Sequence, residues 1–159
     1  MSKDYWLVVR FFVMDLPEPG VYGRGELDFV RLFELVVSRV SDGSCGAAAF
    51  FLGIVKRKGR GEVDVEKLHM ESYEEHANKA LKRICEEVTG EYGLRFVGIW
   101  HLVGVLNVGE PVVFVAAAGE SRDEVFRGLR TAVERYKREP ALFKKEVYID
   151  GTGKWLEGA

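Results

Sequence analysis

The sequence predicts an α+β fold, a single domain with a mostly antiparallel sheet. Three observations carry this reading. Segments with helical spacing are separated by pairs of strand-like segments, in the order β-α-β-β-α-β-β-α-β. In a doubly wound parallel sheet each strand would instead be followed by its own helix. A hairpin signal, Asn107-Val108-Gly109-Glu110, joins two of the strands directly. No stretch repeats, and no linker is long enough to divide the 159 residues into two domains.

Tyr5 to Met14, rich in β-branched and aromatic residues, reads as the first strand. A loop with Pro17, Pro19, Gly20, Gly23 and Gly25 follows. From Leu27 to Val40, apolar residues at 29, 30, 33, 36, 37 and 40 recur at helical spacing, and Asp42-Gly43 closes the helix. Gly46 to Val55 is a nearly continuous apolar run, the pattern of a buried strand. The basic turn Lys56 to Gly61 would pair it with the next strand, Val63 to Ser72.

Tyr73 to Val88 is the clearest helix. Ala77, Ala80, Leu81, Ile84, Cys85 and Val88 make one apolar stripe, Glu74 and Glu75 suit its positive end, and Gly90 is the expected stop. Arg95 to Leu106 and Pro111 to Ala118 form the hairpin. Ser121-Arg122-Asp123-Glu124 has the capping-box pattern, and Val125, Leu129, Val133 and Tyr136 carry that last helix to Pro140. A short strand, Glu146 to Ile149, and the segment Gly151 to Trp155 complete the order.

Composition narrows the function. Hydrophobic residues at 47% and charged residues at 30% describe a globular chain. A net charge of −2 supplies no global field toward nucleic acid or an anionic membrane, so any anion site must be local. Tyr5 to Met14 is too short to span a membrane and contains Arg10, and the start lacks a signal-peptide pattern, so a cytoplasmic protein is expected. Gln is absent and Asn occurs only at 78 and 107, which with abundant Lys, Arg and Glu suggests a thermophilic source. Cys45 and Cys85 show no CxxC spacing, and His69 and His76 have no partners at metal-ligand spacing, so no metal is expected. Cys85, on the apolar helix face, reads as core.

Lys137 and Lys144 stand on either side of Pro140, which must stop the helix. Such lysines are either solvated surface charge or two ammonium groups sharing one space, where they bind an anion and lower each other's pKa. The glycine-containing loop Lys56 to Arg60 is a solvated hairpin tip or a site where backbone approaches a ligand. Arg122 opposes the dipole in the first turn of its helix, a mild conflict that binding an anion would relieve. His101 is a satisfied core histidine or a proton shuttle. No Ser-His-Asp or nucleophile-elbow pattern is present.

Taken in order, these residues resemble the molybdopterin synthase large (catalytic) subunit, the MoaE family. The resemblance runs over roughly residues 46 to 156. It includes Gly46-Ala47, Phe51-x-Gly53-x-Val55-Lys56, Leu68-x-x-Glu71-x-Tyr73 and His101-x-x-Gly104 followed by Gly109-Glu110. It continues through Arg122-x-x-x-Phe126, Lys137, Pro140, Phe143-Lys144-Lys145-Glu146 and Gly153-Lys154-Trp155. The resemblance implies an α/β-hammerhead-like fold and a homodimer within a heterotetramer. Each subunit would bind a small ubiquitin-like sulfur carrier whose C-terminal Gly-Gly tail ends in a thiocarboxylate. Sulfur would pass from that tail to cyclic pyranopterin monophosphate, building the dithiolene of molybdopterin without a metal or other cofactor.

By family position Lys137 and Lys144 would be the catalytic pair. Lys56, Arg57, Ser121, Arg122, His101, Lys145 and Lys154 would contact substrate. The chain departs from the family's usual residues in having Lys56 for Arg, Ser121-Arg122 for His-Arg, His101-Leu102 for His-Arg and Phe143 for Trp. Lysine in place of arginine gives up bidentate phosphate binding. The competing reading is a non-catalytic module that keeps only the groove for a Gly-Gly tail. A nucleic-acid-binding role is disfavoured by the net charge and by the lack of aromatics interleaved with the basic loop.

Overall fold

The computed structural model describes residues 15–61 and 63–158. Seven strands form the sheet: β1 (Gly20–Gly23), β2 (Ala47–Ile54), β3 (Val65–Ser72), β4 (Phe96–Asn107), β5 (Pro111–Gly119), β6 (Leu142–Tyr148) and β7 (Gly153–Leu156). Three helices accompany them: α1 (Phe29–Val40), α2 (Glu74–Glu91) and α3 (Arg122–Tyr136). The α+β reading and the order of helices and strand pairs hold. The expected strand Tyr5 to Met14 lies outside the described residues, and β1 is a short strand within the segment expected to be loop.

The sheet runs β2-β5-β4-β3-β6-β7, with β1 added parallel to β4 and every other pairing antiparallel. β4 changes partners along its length. Residues 96–101 pair with β5, whereas residues 104–107 pair with β3. Gly104, at φ 113°, stands at the changeover, in a conformation that a side chain would resist. The sheet is therefore two half-sheets sharing one strand.

β5 is buried along almost its whole length because both of its faces are covered. α1 lies on the face of Trp100 and Phe114, where Phe29 stacks on Phe114 at 5.9 Å. α2 and α3 pack on the opposite face, where Tyr136 meets His101 edge-on at 5.8 Å. Asp28 caps α1 by accepting from the backbone N–H groups of Val30 and Arg31. The far ends of α2 and α3 are tied by charges: Arg135 donates to Glu139 at 2.6 Å and to Glu87 at 2.5 Å. Arg83 reaches Glu139 at 3.3 Å.

Five local expectations are corrected. β2 is an edge strand with Leu52 and Ile54 exposed, so its apolar run does not mark full burial. It pairs with β5 and not with β3. The ladder of the basic turn stops after the Lys58–Asp64 bridge. The backbone groups of Val55 are taken by the β4–β5 turn, donating to Glu110 and accepting from Gly109. Gly90 lies inside α2. The left-handed residue after the helix is Gly93, at φ 61°, and Leu94 N–H closes back on Thr89. Ser121 makes no side-chain cap bond, and the first turn of α3 relies on the charges of Asp123 and Glu124. Finally, the strand expected at Glu146 to Ile149 begins earlier, so Lys144 stands on β6 itself.

Candidate active site

Lys137 is the C-cap residue of α3. The chain then reverses at Pro140, whose carbonyl accepts from Leu142 N–H at 2.8 Å, and enters β6. Ala141 carbonyl accepts from Tyr73 N–H at 3.1 Å, pinning this turn to the start of α2. Lys144 follows as the third residue of β6, opposite Met70 of β3. The tight turn brings the helix end and the strand start onto one space.

That space is a cavity of about 240 Å³ at the seam between the half-sheets. Phe51 to Ile54, Val112 and Val113 wall it from one side, and Leu68 and Met70 from the other. Lys137, Lys144, His101 and Tyr136 supply its polar groups. Burial lowers the pKa of Lys144 from its ordinary value, Glu146 opposes that shift, and the charges of Arg60, Lys137 and Lys56 add to it. Burial favours a neutral lysine, while the neighbouring cations favour bound anions.

His101 is buried, and its Nδ1–H donates to the Leu102 carbonyl at 2.9 Å, which leaves Nε2 as the unprotonated nitrogen. Burial pushes its pKa down to about 4, the Leu102 carbonyl acts against that, and Lys144 lowers it further. His101 is thus a core histidine whose ring also lines the cavity. Its folded pKa lies below the unfolded value, so the unfolded chain binds the proton more readily in acid. Stability from this group is full above about pH 6.5 and declines as the pH falls toward 4. The expected loss over the whole interval is roughly 3.5 kcal/mol, from ~2.5 pH units at ~1.4 kcal/mol each. Urea unfolding of wild type and His101→Phe at pH 7 and 4.5 measures it, and the variant should lose less of its stability between the two.

Burial also pushes Tyr136 and Cys85 up to about 12 each. Tyr136 is therefore a neutral donor at the cavity wall, and Cys85 is an unreactive core thiol as expected.

The remaining candidates divide. Lys56 lies near enough to Lys144 to lower its pKa, but Arg57 is directed toward Asp64. Ser121 and Arg122 are at the other end of α3, about 22 Å of helix axis from Lys137. Lys145 points to the opposite sheet face from Lys144, with its ammonium 5.7 Å from the Trp155 ring. Lys154 pairs across from Glu146 on the outermost strand. Sequence reading did not single out Tyr136, Glu146 or Arg60. Tyr136 looked like one more residue of an apolar stripe, and Arg60 was indistinguishable from its basic neighbours.

Residues 27–139 match the MoaE protein family. This chain belongs to the MoaE family. It is 34% identical over 135 residues to the molybdopterin synthase catalytic subunit of Culex quinquefasciatus, covering 83% of each chain. It is 34% identical over 125 residues to the subunit of the same name in Pyrococcus abyssi, covering 79% of this chain and 83% of the relative. Molybdopterin synthase from Staphylococcus aureus superposes with a TM-score of 0.77 at 25% identity, over 89% of this chain and 98% of that one. The family match of this MoaE family member includes Lys137 and ends five residues before Lys144. Among its described residues no group of three or more His, Cys, Asp or Glu side chains is placed to hold a metal, and no helix is long and apolar enough to cross a membrane.

Proposed function

We propose that the chain is the catalytic subunit of a molybdopterin synthase. It takes sulfur from the C-terminal thiocarboxylate of a small ubiquitin-like partner and transfers it to cyclic pyranopterin monophosphate. The observation that carries this reading is the convergence of Lys137 and Lys144 on one half-apolar cavity, with Lys144 held below its ordinary pKa. A docking surface for a Gly-Gly tail requires neither lysine.

The chemistry follows from the groups present. The thiocarboxylate sulfur bonds to a carbon of the pterin side chain as a carbon–oxygen bond there breaks, the oxygen leaving as water or staying on the phosphate as the cyclic ester opens, and a water then cleaves the acyl–sulfur bond. The tail keeps a carboxylate and the pterin keeps the sulfur. Two such transfers build the dithiolene and open the cyclic phosphate. Lys137 stabilises the oxyanion that forms when water attacks the acyl carbon. Lys144, whose proton is loosely held, positions the acyl end and exchanges a proton with the attacking water or the departing sulfur. Lys56, close enough to Lys144 to lower its pKa, would hold phosphate. Two copies of this chain with two small partners would make the heterotetramer.

A single-turnover assay with thiocarboxylated partner and cyclic pyranopterin monophosphate tests the proposal. Wild type should convert the precursor to molybdopterin. A verified complex that forms no product would leave only the docking role.

A further inference from the structure

The loop between β2 and β3 carries four cations, and the structure treats them differently. Lys58 pairs with Asp64 at 2.6 Å, and Arg57 lies toward the same carboxylate. Arg60 differs from both. Its guanidinium forms no ion pair among the described residues, and its side chain is exposed. Its backbone N–H donates to Glu146 Oε2 at 3.3 Å, and the same oxygen accepts from Tyr148 Oη–H at 3.0 Å.

Glu146 is only 4% exposed. It stands two residues beyond Lys144 on the same face of β6, about 7 Å along the strand. A buried carboxylate thus pins the loop beside the lysine cavity. The close approach depends on Gly59: a Cβ there would lie 2.5 Å from Glu146 Oε2 and 2.9 Å from Val65 Cγ2. Lys137 and Lys144 line the cavity, Arg60 and Lys56 lie near enough to Lys144 to lower its pKa, and Glu146 is the nearby carboxylate, with part of its acceptor capacity used by the loop. The neutral His101 and Tyr136 also line the cavity with Lys144.

We infer that Arg60 is an anion-binding residue of this cavity, held at its rim by Glu146, and that it takes the phosphate of the pterin substrate. The inference rests on the proposed synthase reading for the identity of the ligand, while the anion site rests on the anchorage of the loop to Glu146, two residues from Lys144 on β6. Arg60 supplies what the three lysines lack, a planar fork that can donate two hydrogen bonds to one phosphate. Glu146 is a positioning residue, acting through the loop it anchors.

The test compares wild type, Arg60→Ala, Arg60→Lys and Gly59→Ala in complex with the thiocarboxylated partner. Arg130→Ala, on the exposed side of α3, controls for loss of one positive charge. Arg60→Ala should raise KM for cyclic pyranopterin monophosphate by ~10-fold or more, with kcat changed less than about 3-fold, as expected for a lost charge-assisted contact made equally in ground and transition states. Arg60→Lys should recover part of the loss, and Gly59→Ala, which keeps every charge, should raise KM as well. Glu146→Gln keeps an oxygen for Arg60 N–H but removes the charge facing Lys144. Its pH–rate profile should move to lower pH, whereas a purely structural role would leave the profile in place. Wild-type KM in Arg60→Ala, or an equal rise in Arg130→Ala, would overturn the assignment. If wild type itself gives no turnover, calorimetric titration with inorganic phosphate decides the point. Weaker binding in Arg60→Ala but not in Arg130→Ala upholds the site, and equal binding refutes it.

Discussion

Replacing Lys144 by alanine is expected to slow sulfur transfer by ~10²–10⁴-fold in single turnover, the range for removing a positioned proton-transfer group. The size of the effect follows from where the lysine stands. It lines the cavity, and burial with three neighbouring cations lowers its hold on a proton. Lys144→Arg separates its two roles. Arginine keeps the positive charge but does not give up its proton, so it should restore binding of the acyl end without restoring the rate. An arginine variant as fast as wild type would show that charge alone suffices. An alanine variant with near-normal transfer would remove Lys144 from the mechanism.

Trp100→Ala should cost ~3–5 kcal/mol of folding stability, within a total of ~5–15 kcal/mol for a domain of this kind. The indole is fully buried, its ring lies 6.0 Å from that of Phe114, and its Nε1–H donates to the Pro17 carbonyl at 3.0 Å. Its six-membered ring covers Gly98, where a Cβ would approach to 2.1 Å. Removing the indole leaves a large cavity and frees the segment before β1. Trp100→Phe should cost less, since it keeps most of the packing and loses the hydrogen bond. Equilibrium urea unfolding measures both. A loss below ~1 kcal/mol in Trp100→Ala would mean that the core around β4 and β5 collapses to fill the space.

The fold was legible where local pattern and final environment agree. The stripe from Ala77 to Val88 is buried as its spacing requires, and Asn107 to Glu110 forms the turn between β4 and β5. Reading failed where partners were chosen by distant segments. The apolar run of β2 has the composition of an interior strand, but among the described residues it pairs with β5 alone, because β3 is drawn to β4 and β6. The site was legible as a pair of lysines flanking a proline and as a resemblance. Its third dimension was not. Nothing in the order of residues distinguishes Arg60 from Arg57, because the choice is made by a carboxylate 86 positions away.

The half-sheets give the site a mechanical character. Lys137 ends a helix that packs on β2 and β5, while Lys144 rides on β6, which pairs with β3. The two ammonium groups therefore belong to opposite jaws, joined by the turn at Pro140 and hinged on β4 near Gly104. A small twist at that hinge would change the gap between them while leaving each jaw internally intact. The gap between the lysines is then a property of how stiffly one strand passes from one set of neighbours to the next.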